Sequence, residues 1–516
     1  MRLATVLLLA LAASAETPVF RIAGVVVDSV SGKPAPRVRV VVRTSGQGAS
    51  EISSWMTGDD GRFYFDVLKG KYSLVAERSG QAPQPYGAVG VVGSAVAIVT
   101  GPDQQTSNVR FELFPPSAIG GKVVDDAGDP VENALVQLMR GDVIAGRRRI
   151  GNAGYAYTND VGEYRFGNLQ PGSYYLGVTG KPWYASGPFA AGRPVAFTPV
   201  YYPNTADSRA AAALVLKAGQ ETRADFALVA KPGVDISVLL DGKSVKDFSR
   251  MVVDLIGDNI GISNVFQSVS STVGSSFRIP AVPPGSYKIR VRPDGDSQFA
   301  WTQEIIAGAE NVAVRMELAP PPAVSGVLEL PAGASDSAGG FYVLLSDVVD
   351  RVAYTAAVSD KGSFKYPRIN PGKYHVLIGG SRSAYVKSVV EGETTLEGSQ
   401  IEIKSGDART LRIVAASDGG RVDGFVRRAG QPVPGVLVAL IPADSSDEPS
   451  RYRGYWTDSD GSYEFLGVQP GDYRLIVSSD RDLEWANPAV IRPRLADGKP
   501  IHVEPNGKQE VDAEAR

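Results

Sequence analysis

The stretch TDSDGSYEFLGVQPGDYRLIV, from Thr457 to Val477, sets the carboxylates of Asp458 and Asp460 beside a glycine, Gly461. Acids in that pattern could share a cation. A calcium loop of the EF-hand kind, however, needs oxygens at several fixed positions and a bidentate acid at the twelfth, and the twelfth residue counted from Asp458 is Gln469. Zinc hydrolysis asks for three protein ligands and an open position. The chain has 2 histidines, His375 and His502, with Ile378 and Pro505 standing where a His-x-x-Glu pair needs its acid. His375, between Tyr374 and Val376, reads as a strand residue facing solvent. With no cysteine, thiol chemistry and disulfides are both excluded. Gly242-Lys243-Ser244 resembles the end of a phosphate loop, but Ser237 occupies the place of its first glycine and no long helical pattern follows. No metal site, cofactor or catalytic residue is therefore expected, and the acids before Gly461 read as turn chemistry. Short acidic side chains bond to nearby backbone N–H groups, while glycine takes the positive φ a tight turn requires.

The elements around that turn recur along the chain. TGDDGRFYFDVLKGKYSLV starts at Thr57, TNDVGEYRFGNLQPGSYYLGV at Thr158, STVGSSFRIPAVPPGSYKIRV at Ser271 and SDKGSFKYPRINPGKYHVLI at Ser359. Their turn glycines, Gly61, Gly162, Gly274, Gly362 and Gly461, lie roughly one hundred residues apart, the size of one small domain. In GSYEF and DYRLIV large apolar residues alternate with others, the period-two pattern of strands with one buried face. Four copies open on a short apolar strand: GVVVD from Gly24, GKVVD from Gly121, GVLEL from Gly326 and GFVRR from Gly424. All five close on a glycine turn before an alternating segment, as in GQETRADFAL from Gly219. With 57 Gly and 35 Pro in 516 residues, composition agrees with an all-β chain.

The order G-x-V-x-D, G-x-P-V, T-D-x-x-G-x-Y-x-F, L-x-P-G-x-Y-x-L resembles the carboxypeptidase regulatory-like domain. The resemblance is specific in copies 1, 2 and 5. It implies a transthyretin-like (prealbumin-like) β-sandwich with a carbohydrate-binding-like fold, an accessory module without peptidase activity of its own. The fold class expected is thus all-β, five tandem transthyretin-like β-sandwich modules after a signal peptide. The boundaries are 1–15 for the signal peptide, 16–116, 117–230 with an aromatic insert, 231–320 for a divergent third module, 321–417 and 418–516. An internal Lys–Asn bond of the kind found in adhesin modules would need a Glu on the face of the Tyr strand. Glu77, five residues past Tyr72, falls on the other face.

The N-terminus, MRLATVLLLALAASAE, has a basic residue, an apolar run too short to cross a bilayer and an A-x-A site, the pattern of a secretory leader cleaved after Ala15. An exported product is expected, periplasmic or extracellular, with no transmembrane segment in the mature chain. The formal charge of −3 with no long block of one sign argues against nucleic acid, and Arg147-Arg148-Arg149 reads as a solvated loop. The longest copy, the second, carries KPWYASGPFAAGRPVAFTPVYYPN from Lys181. Its rings Trp183, Tyr184, Tyr201 and Tyr202 are the candidate ligand-binding residues, since planar side chains can stack on sugars, although rings in a Pro-rich loop also fold back on their own sandwich. The expected role is structural or interactive at the bacterial cell envelope, with envelope proteins or polysaccharide as partners. Carbohydrate binding is the alternative, and a cryptic hydrolase a distant one.

Overall fold

The computed structural model describes residues 18–515 apart from 47–48, 89–94, 186–193, 243, 245–247, 249, 258–264, 272–274, 297, 332–337, 348–352, 382–383, 397 and 445. The leader, Lys243 and the turn glycine Gly274 lie outside the described residues.

Among the described residues nearly every element is a strand, and one arrangement recurs around five cores. In the first, the opening strand Phe20–Asp28 pairs antiparallel with Arg62–Val67 and parallel with the closing strand Val109–Leu113. The facing sheet runs Glu51–Met56, Arg39–Thr44, Gly70–Glu77, with Ile98–Thr100 on its far side. The same parallel pairing of opening and closing strands joins Glu221–Arg223 to Ser117–Asp125, Val312–Glu317 to Val234–Asp241, Ala408–Ala416 to Ala323–Glu329 and Lys508–Glu510 to Gly420–Arg428. In the fourth unit the opening-strand sheet also takes up Tyr385–Glu391, which pairs with the closing strand.

The opening glycine of four copies has a steric origin. A Cβ on Gly24, Gly121, Gly326 or Gly424 would run into the carbonyl of Val109, Ala224, Leu411 or Val511, each on or beside the parallel closing strand. Only a residue without a side chain lets those backbones approach. The motif turn behaves as its sequence implies: Gly461 has φ +76°, with counterparts at Gly61, Gly162 and Gly362, and the Asp460 carboxylate accepts from the Ser462 N–H at 3.0 Å.

The tyrosine that recurs in each repeat does more than fill the core. Tyr72, Tyr174, Tyr287, Tyr374 and Tyr473 are all buried. Each hydroxyl donates to the carbonyl four residues upstream, of Leu68, Gln170, Pro283, Asn370 and Gln469, at 2.7–2.9 Å. The bond ties the strand to the tight turn that feeds it. A second tie comes from the motif threonine. Thr57, Thr158 and Thr457 are buried; their hydroxyls accept from the N–H of Val38, Ala134 and Val436 and donate to the carbonyls of Ala35, Val131 and Val433. Each clips the turn onto the loop entering the second strand.

The fifth sandwich carries an extra layer. Leu437, Ala439 and Ile441 point away from the inner core, yet they are buried under Tyr452, Leu483, Ala486 and Ile491. The short helical segment Pro488–Asp497 belongs to this cap.

Candidate functional site

The aromatic insert leaves the second sandwich after Gly172–Thr179. Trp183 and Tyr184 start a single 3-10 turn, their rings edge to face at 5.6 Å, and Trp183 is 73% exposed. Tyr201 is buried instead: its strand pairs with Gly177, and a Cβ there would sit 3.1 Å from the ring, so the glycine makes room for it. Tyr202 is half-buried against the core of the same sandwich. Of the four candidate rings, Trp183 is thus exposed, Tyr184 and Tyr202 are half-buried and Tyr201 is buried. Phe189 and the rest of residues 186–193 lie outside the described residues.

Two open troughs occupy equivalent places on the second and fourth sandwiches. One, of about 600 Å³, runs past Tyr157, Gly120, Arg165, Glu221, Thr222 and Arg223. The other, of about 700 Å³, runs past Ser325, Val327, Ser359, Phe364, Lys365 and Thr410.

The polar residues singled out by sequence meet elsewhere, on the fifth sandwich. The Asp458 side chain is only 3% exposed and accepts from Lys71 Nζ of the first sandwich at 2.6 Å and from the Tyr455 hydroxyl at 3.0 Å. Burial raises the Asp458 carboxyl above its ordinary value. Burial also works against the Lys71 ammonium, but the Asp458 carboxylate outweighs it and holds that lysine's pKa up. Burial beside Asp458 pushes the Tyr455 hydroxyl up to about 12. Next to it the Ser459 N–H donates to Ala97 O and the Ser459 hydroxyl accepts from the Val99 N–H, both at 2.9 Å. The acidic turn therefore docks one sandwich onto another, a role that its sequence, legible only as a turn, does not disclose.

Two expectations are overturned here. Arg147-Arg148-Arg149 is not a solvated loop but the start of the strand Arg147–Tyr157. Its hairpin tip rests on the cap of the fifth sandwich: Arg147 Nε donates to Ala486 O at 2.8 Å, the Ala486 N–H donates to Gly146 O at 2.9 Å, and Arg148 pairs with Glu484 at 3.5 Å. Nor does His375 face solvent. It is 7% exposed, with Nδ1 3.4 Å from the Ser399 hydroxyl, which donates to Glu448 of the fifth sandwich at 2.6 Å. Period-two reasoning covers one sheet and its own core; it has no access to the outer face that a neighbouring sandwich covers. Glu77, in turn, is held by Arg39 at 2.7 Å, on the outer side of its sheet as its spacing from Tyr72 implies.

Residues 21–113 and 421–513 each match the carboxypeptidase regulatory-like domain. No curated protein matches the chain. Among solved structures it is similar to the Bacillus anthracis TIE protein, at 10% identity over 78% of this chain and 75% of that one, TM-score 0.18. It is also similar to a streptococcal ancillary pilin, at 15% identity over 58% of this chain and 98% of that one, TM-score 0.19. BcpA, the major pilin subunit of Bacillus cereus, matches at 14% identity over 58% of this chain and 99% of that one, TM-score 0.15.

Proposed function

We propose that this chain is an exported, non-enzymatic protein with a structural or interaction role at the bacterial cell envelope, built of modules spanning 16–116, 117–230, 231–320, 321–417 and 418–516. One observation carries the reading: His375 and the acidic and basic turns that the sequence singles out are engaged in holding sandwiches to one another, His502, exposed beside Asp472, being the exception. Asp458 binds Lys71, Glu448 binds Ser399 beside His375, and Arg147 and Arg148 bind the 484–486 segment. A catalytic group needs a substrate within reach, and these are committed inside the molecule. The two segments matching a regulatory-like accessory domain fit the same reading. The test is fractionation of cells producing the full chain, together with assays of the purified protein on peptide, ester and glycoside substrates. Recovery with the envelope or medium and no turnover is the expected result; turnover abolished by one Asp or Glu substitution overturns it.

A carbohydrate-binding reading is favoured by one specific observation, the exposed Trp183 ring set edge to face against the half-buried Tyr184. Planar rings offer broad apolar faces to a pyranose at small ordering cost. If that reading holds, Trp183→Ala abolishes retention of the folded protein in polysaccharide affinity gels while the melting temperature stays within about 1 °C, since a side chain so exposed has little burial to lose. Unchanged retention removes this alternative.

A further inference from the structure

The second, fourth and fifth sandwiches come together around His375. The histidine sits on the strand Gly372–Gly379, between Ser346 on one neighbouring strand and Gln400 on the other. Ser399, 3% exposed, covers its Nδ1. The Ser399 hydroxyl proton is directed to Glu448 Oε1, and the Ser399 N–H donates to Glu448 Oε2 at 3.0 Å. Its oxygen is therefore left to accept, which places a proton on Nδ1 of the ring. Glu448 is fixed further by Ser450 at 3.1 Å. Asp447, next in the chain, pairs with Arg147 of the second sandwich at 3.6 Å. The charged groups facing the ring are thus Glu448 and Asp447 from the fifth sandwich and Arg147 from the second.

We propose that this junction is a pH-sensitive clasp, in which protonation of His375 releases the 446–451 segment of the fifth sandwich from the fourth. A charged imidazolium in this position is removed from water and faces Arg147, and the flanking carboxylates are already bonded to Ser399, Ser450 and Arg147. Undocking lets water reach the ring. Burial, the largest influence, followed by the opposing pull of Glu448 and Asp447, leaves the His375 pKa below its ordinary value. The sign follows: the released form binds the proton more readily, so docking is fully supported above the ordinary histidine value of 6.5 and weakens as pH falls below it.

The chain's 2 histidines make the assignment clean. The experiment is hydrogen exchange of the full chain at pH 7.5 and 5.5, corrected for intrinsic rates and referenced to the core strand Arg39–Thr44. Protection of residues 398–403 and 446–451 should drop on acidification, by up to about tenfold, since pH 5.5 lies one unit below the ordinary histidine value of 6.5. The same drop is expected in His502→Asn and none in His375→Asn. Should His375→Asn fail to fold, the imidazole proton resonances of wild type and His502→Asn decide: one signal must titrate below pH 6.5 in step with the loss of protection. Unchanged protection in the wild type, a drop that persists in His375→Asn, or a resonance titrating at or above 6.5 overturns the clasp.

Discussion

The tyrosine and threonine of the repeat motif show how far a residue type can be read. Alternation identifies Tyr473 as a core residue, and its place two positions after Pro470-Gly471 identifies the turn. The bond from its hydroxyl to Gln469 O is invisible in sequence, because it depends on how the turn folds back under the ring. Tyr473→Phe keeps the ring and removes the bond. It should cost about 1 kcal/mol, measured by denaturant unfolding of the full chain, and Thr457→Val should cost about 1–3 kcal/mol because it strands a buried N–H and a carbonyl together. A phenylalanine variant as stable as the wild type would make the tyrosine an apolar filler only. The histidines carry opposite signs. The Asp472 carboxylate holds the exposed His502 above its ordinary value, so its contribution is present below pH 6.5 and is lost as pH rises through its own pKa, whereas that of His375 is lost as pH falls.

At the scale of the element, the strands most legible in sequence are those with one buried face: SYEFLGV and GDYRLIV alternate, and they are strands of the two facing sheets, paired with Gly420–Arg428 and Leu437–Pro442. The strand Leu437–Pro442 is buried at all six positions, and its run of apolar residues gives the expected signature of a strand covered on both sides. What covers its outer face, the cap from Leu483 to Ile491, lacks period and repeat, so nothing in the sequence announces it. Glycine shows the same division. The positive φ of Gly461 follows from turn chemistry, but the turn also packs so that a Cβ there would sit 2.6 Å from Val426 O, and the need for Gly424 arises from a closing strand some ninety residues later in the chain; only three-dimensional pairing reveals either contact. Gly424→Ala should therefore destabilise by about 1–3 kcal/mol through forced displacement of the Val511 carbonyl. Gly461→Ala should cost at least about 1–2 kcal/mol, from backbone strain together with the clash of its Cβ with Val426 O. Thermal unfolding checks both, and a neutral Gly424→Ala would show that the parallel pairing is looser than described.

For the whole molecule, a linear repeat suggests a string in which each unit touches the next, yet the fifth sandwich meets the first, second and fourth. The first and last units are joined by Lys71–Asp458, by two hydrogen bonds of Ser459, and by Arg481 donating to Gly87 O at 2.9 Å. Closing so long a loop costs chain entropy that grows slowly with length, and contacts such as these have to offset it. Removing one partner of a buried ion pair is more damaging than removing both, because the survivor is left desolvated and alone. Lys71 keeps 40% of its side chain in water and Asp458 3%, so the asymmetry should fall on the lysine side. Lys71→Met should weaken docking by on the order of 1–3 kcal/mol, below the range for fully enclosed pairs. Asp458→Asn should cost less, and the double variant should recover part of the Lys71→Met loss, since methionine and an amide can share the site without an unpaired charge. Small-angle scattering reads the outcome: Lys71→Met expands the molecule, and the double variant returns toward wild-type dimensions. Additive effects in that cycle, or a wild type whose dimensions match an extended string, would mean that the first and fifth sandwiches are not held together in solution.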